Sequence, residues 1–92
     1  MNTNPFFAHE TAILDENISI GNGTKIWHFS HIQSGAVIGE NCSLGQNVNV
    51  GNNVKIGGNS GVIKDIPDNK KVMGYPSMDF KKFVKNWRSN GQ

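Results

Sequence analysis

The 92 residues contain one cysteine, so no disulfide can form within the chain. No apolar stretch approaches the roughly 20 residues that a bilayer-spanning helix needs. The opening Met1-Asn-Thr-Asn-Pro5 lacks both the basic and the apolar region of a secretory signal. On these absences a cytoplasmic protein without a membrane partner is the expectation. The cysteine itself, Cys42, falls in a series of small residues expected to point inward. It reads as a packing thiol rather than a nucleophile.

What the chain does have is a period of six. Ala8, Leu14, Ile20, Ile26, Ile32, Ile38, Leu44, Val50, Ile56 and Val62 are aliphatic at every step. Four residues after each comes a small or β-branched residue, such as Ala12, Thr24, Ser30, Ala36, Cys42, Val48 and Val54. A helix repeats every 3.6 residues and a plain strand every 2, so neither gives a strict six. A solenoid of short strands does, each hexad adding one flat face.

The third residue after each anchor supports this. Asn17, Gly23, Gly35, Asn41, Asn47, Asn53, Asn59 and Asp65 are types that enter left-handed backbone cheaply, as a corner demands. Phe29 is the exception. In a hexad only the anchor and the residue four later face inward, so Ile13, Trp27 and Phe29 should face out. Grouped exposed aromatics mark a contact surface, which makes Trp27, Phe29 and His31 the expected subunit interface.

A chain near 90 residues buries only about 60–65% of its unfolded surface, and the open ends of a solenoid invite further pairing. Residues 1–7 are expected to cap the first coil, with Phe6 and Phe7 over its interior. Residues 8–67 form the repeat and 68–76 a loop broken by Pro67, Gly74 and Pro76. Residues 77–89 read as an amphipathic helix, capped by Ser77, with Phe80, Phe83, Val84 and Trp87 on one docking stripe.

The hexads resemble those of the left-handed parallel β-helix acyltransferases. Gly23-Thr-Lys-Ile-Trp-His-Phe-Ser-His-Ile32, Gly35-Ala-Val-Ile-Gly-Glu-Asn41 and Leu44-Gly-Gln-Asn-Val48 are similar to UDP-2-acetamido-3-amino-glucuronate N-acetyltransferases, over residues 8–57. Gly57-Gly-Asn-Ser-Gly-Val-Ile-Lys-Asp-Ile-Pro67 and Val72-Met-Gly-Tyr-Pro76 resemble instead the end of lipid A pathway UDP-acylglucosamine N-acyltransferases. The resemblance implies an all-β solenoid, left-handed, of three hexads per coil and about three coils, followed by a C-terminal helix. It implies a homotrimer, with donor and nucleotide sugar bound between subunits. Two blocks from different relatives read as a shortened or hybrid chain lacking most of those sites.

The first functional expectation is therefore a homotrimeric structural module of sugar-nucleotide N-acyltransferase ancestry, with no cofactor required. A second is an active N-acyltransferase on an amino-sugar nucleotide, with acetyl-CoA or acyl carrier protein as donor. For it, His28 and Glu10 stack eighteen residues apart as candidate base and carboxylate. A third is a metal held between subunits by His9, His28 and His31, although no metal ligand set is recognisable from spacing. Residues 64–88 carry a net charge of +4 against −2 elsewhere. No aromatic-and-basic groove accompanies it, so nucleic acid is not expected.

Overall fold

The computed structural model describes residues 5–74 and the backbone of 78–79. Each hexad forms a two-residue strand and a turn, and successive strands take the three faces of a prism in rotation. The first face stacks β1 (Phe7–Ala8), β4 (Lys25–Ile26), β7 (Ser43–Leu44) and β10 (Gly61–Val62). The second stacks β2 (Ile13–Leu14), β5 (His31–Ile32) and β8 (Asn49–Val50). The third stacks β3 (Ser19–Ile20), β6 (Val37–Ile38), β9 (Lys55–Ile56), β11 (Lys71–Met73) and β12 (Met78–Asp79). All pairings are parallel except β11 with β12.

Anchors stack on anchors, Ala8 on Ile26, Ile26 on Leu44 and Leu44 on Val62. The interior is a narrow aliphatic column of Ile26, Ile32, Ile38, Leu44, Val48, Val50, Val54, Ile56 and Val62, all buried. The expected packing role of Cys42 agrees with its place there, 2% exposed with Sγ 3.2 Å from the Gly57 carbonyl. Three buried hydroxyls sit in the same column. Thr24 Oγ1 donates to the Gly39 carbonyl at 2.7 Å and accepts from Cys42 N–H at 3.1 Å. Ser30 links Gly45 and Val48 the same way, and Ser60 links Gly57 and Gly74. Each hydroxyl pairs with one backbone acceptor and one backbone donor, which is the condition for tolerating polarity in a thin core.

The corners take left-handed backbone at Asn17, Gly23, Phe29, Gly35, Asn41, Asn47, Asn53 and Asn59, as the repeat predicts. Asp65 does not; Asn69 does, at φ 64°. The cause is a shortened last coil. Ile66 bridges Val50 and Lys71 pairs with Lys55, sixteen residues apart instead of eighteen. Asp65 Oδ1 accepts from Asn49 N–H at 2.9 Å and Asp68 Oδ1 from Asn52 N–H at 2.8 Å, replacing backbone partners that the missing residues would supply.

This extension corrects two expectations. Pairing runs past Pro67, so the solenoid has about four turns rather than three, and Lys71–Met73 is a strand, not loop. Met78–Asp79 pairs with that strand's free edge and is not helical; unpaired edges recruit strands. No helix occurs among the described residues. The remainder of the expected helix, with Phe80, Phe83, Val84 and Trp87, lies outside them. At the other end Phe7 is 45% exposed on β1, since it precedes an anchor and so points outward rather than over the interior.

Candidate functional site

Two clusters of chemically capable side chains lie beside and on the corner where the first face turns into the second. On the second face His31 pairs with Ile13, and the next residue, Ile32, is buried, so the imidazole projects outward. Asp15 lies two residues along the neighbouring strand, diagonal to His31 on the same face. His31 Nε2 is 2.9 Å from Asp15 Oδ1, and both side chains are about one-third exposed, at 39% and 34%. Gln33 Nε2 donates to Asn49 Oδ1 at 3.0 Å just below. With Nε2–H directed at the carboxylate, Nδ1 keeps a lone pair free to take a proton.

The second cluster occupies the corner itself. His9 and His28 stack, with ring centroids 3.8 Å apart. Phe7 meets Trp27 at 5.2 Å, and His28 lies 6.3 Å from both Trp27 and Phe29. Thr11 ties the cluster together: its hydroxyl is 2.9 Å from His9 Nδ1 and accepts from Phe29 N–H at 2.9 Å. Phe29 holds φ 59° where the comparable corners carry Gly or Asn. Left-handed backbone costs a bulky residue about 1–2 kcal/mol, so its retention calls for a reason beyond the fold.

The sequence singled out His28 and Glu10 as a base and its carboxylate. In the structure His28 is covered by the His9 ring, whereas Glu10 is exposed and has no hydrogen bond to His28. The imidazole that does hold a carboxylate is His31, expected as interface. Positions eighteen apart do not reveal Asp15, because the register partner of His31 is Ile13. The same register, followed one diagonal step along the outward face, would have found it. Trp27 and Phe29 face outward as expected, 37% and 64% exposed.

The three histidines are not brought together in one chain, because His31 turns to Asp15 while His9 and His28 stack. No group of three or more metal-ligating side chains occurs among the described residues. On the third face lies an open cleft of about 310 Å³, floored by Val37, Ile56, Val72 and Met73. Lys55 and Lys71, adjacent in register, flank it. It is on a different face from His31 and Asp15, so one chain does not combine the two in a single site.

Comparison with known proteins agrees with this architecture. Residues 17–52 match the family described as bacterial transferase hexapeptide (six repeats), and this stretch is hexapeptide repeat of that kind. An acyl-[acyl-carrier-protein]–UDP-N-acetylglucosamine O-acyltransferase of Brucella anthropi is 47% identical over 38 residues, covering 41% of this chain and 14% of the relative. Among solved structures, serine acetyltransferase of Neisseria gonorrhoeae in complex with serine superimposes with a TM-score of 0.75 and 35% identity. That match covers 82% of this chain and 34% of the enzyme. Serine acetyltransferase from Brucella abortus strain S19 gives 0.72 and 29%, covering 82% and 36%. The matches thus span a seventh to about a third of these relatives' length. The solenoid is an acetyltransferase-like scaffold, and the sugar-nucleotide acyltransferase likeness seen in the sequence reappears, here with an O-acyltransferase. No helix among the described residues is long and apolar enough to cross a membrane.

Proposed function

We propose that the chain is a left-handed β-helix module of the acyltransferase type that works as a homotrimer in the cytoplasm. The observation that carries this reading is the exposed apolar stripe at one corner of the first two turns, Phe7, Ile13, Trp27 and Phe29. A solenoid with so thin a core gains most from covering such a stripe. One free, buried cysteine suits a reducing compartment. Sedimentation at micromolar concentration tests the assembly: three 10.1 kDa chains give about 30 kDa. A single-chain species would overturn it.

The Asp15–His31 bond favours a second reading, in which the module transfers acyl groups. The His31 Nδ1 lone pair would take a proton from an amine or hydroxyl of a nucleotide sugar as it attacks a thioester carbonyl. A C–N or C–O bond forms, the C–S bond breaks, and the proton passes on to the departing thiolate. The donor would be acetyl-CoA or an acylated carrier protein. Thiol release from acetyl-CoA with an amino-sugar nucleotide, in wild type and His31→Ala, is the test. A general base contributes about 10²–10⁴-fold, so turnover unaffected by the substitution removes His31 from that role.

A further inference from the structure

We infer that the C-terminal residues 80–92 fold back over the third face as an amphipathic helix, laying Phe83, Val84 and Trp87 into the cleft beside Lys55 and Lys71. This stands apart from the trimer and acyl-transfer readings above. It concerns a single chain, and a face that carries neither the His31–Asp15 pair nor the exposed aromatics. The strand pairing sets where the segment starts. β12 runs antiparallel to β11 with Asp79 opposite Val72, so Phe80 follows on the outer edge of the third face, one strand spacing beyond β11.

Length and polarity both fit. A helix rises about 10 Å from Phe80 to Trp87, and β12 to β9 spans two strand spacings, also about 10 Å. Phe83 and Val84 then reach the level of Val72 and Met73, and Trp87 that of Ile56. Gly39 and Gly57 border the cleft there. A Cβ on Gly57 would lie 3.1 Å from that of Met73, so close stacking keeps this stretch free of side chains and leaves room for an indole. Val37, 44% exposed on the third face, would be covered by the same ring. Phe80, Phe83, Val84 and Trp87 form one apolar stripe, and so short a helix is marginal in water unless the stripe is covered. Lys81, Lys82, Lys85 and Arg88 lie off it. Lys55 and Lys71 extend the apolar surface with their aliphatic stems while their ammonium groups stay in water. Both partners are basic, so docking should tighten as salt screens their repulsion, the reverse of an acidic partner held in the cleft.

Disulfide trapping in the full chain tests the docking. Met73→Cys with Val84→Cys should close within one chain at least about tenfold faster than Met73→Cys with Lys82→Cys, because a disulfide needs Cβ atoms about 4 Å apart and Lys82 faces away from the stripe. In a Trp27→Phe background Trp87 is the sole tryptophan. Its emission should be that of a buried indole and move further to the blue as salt is raised. Val37→Asp sets a charge in the cleft and should return the emission to that of an exposed indole, with the circular dichroism of the solenoid retained. Equal closure of the two cysteine pairs, or disulfides formed only between chains, overturns the docking. So does a Trp87 that emits as an exposed indole before Val37 is changed, that ignores Val37→Asp, or that moves to the red with salt.

Discussion

The imidazole of His9 lies over that of His28 at 3.8 Å, although strict register sets His9 beside Trp27. The offset has a local cause. Thr11 holds His9 Nδ1 through both its backbone N–H, at 3.2 Å, and its hydroxyl, at 2.9 Å. The ring is thereby drawn toward the tip of the corner.

Thr11 is therefore expected to matter more than an ordinary surface threonine. Thr11→Val keeps the shape but removes the acceptor for Phe29 N–H and the hydroxyl on His9. One lost hydrogen bond of this kind costs about 1 kcal/mol, which lowers Tm by about 4–8 °C in a domain this size. Thermal unfolding at a fixed protein concentration checks it, since assembly makes Tm concentration-dependent. An unchanged Tm would mean that the corner does not depend on this bond.

Asp15 should tune His31 without being needed for the fold. Asp15→Asn leaves an amide that still fits but no longer favours an Nε2–H donor, so the imidazole loses its fixed orientation. If His31 acts as base, acetyl transfer should fall by about tenfold or more, with KM for the donor unchanged. Steady-state kinetics separates this from lost binding. The exposed pair contributes under about 1 kcal/mol to stability, so Tm should hardly move.

How far the sequence disclosed this structure depends on what each residue answers to. Ile26, Leu44 and Asn41 answer to the chain's own period, and their inward or corner positions follow from counting in sixes. Lys71 answers to something else: it pairs with Lys55 only because the coil between them is two residues short, and Asp65 and Asp68 repair the backbone. Nothing in a hexad count signals that repair. Likewise His9 and Asp15 owe their contacts to diagonal side-chain reach, which lies one step beyond register.

Ser30 tests the buried hydroxyls. Its Oγ accepts from Val48 N–H and donates to the Gly45 carbonyl, both enclosed. Ser30→Ala strands that donor where water does not reach, at a cost of about 1–3 kcal/mol. The midpoint of chemical denaturation should drop with its slope intact. No change in midpoint would imply that the solenoid opens there enough to admit water.

Glycines one residue past an anchor look alike in sequence, but the structure separates them. A Cβ on Gly39 would sit 2.6 Å from Gly58 N and 2.8 Å from its Cα, inside backbone that cannot yield. A Cβ on Gly45 would meet the Val62 carbonyl oxygen at 3.4 Å, an ordinary contact, at a φ outside the left-handed region. Gly39→Ala should therefore separate two turns of the third-face corner and destabilise by about 1–3 kcal/mol, the range for forced overpacking. Gly45→Ala should be neutral or gain about 0.4–1 kcal/mol through a less flexible unfolded chain. Parallel thermal melts of the two variants decide the matter. Equal losses would mean that the close stacking at Gly39 is not a constraint on the fold.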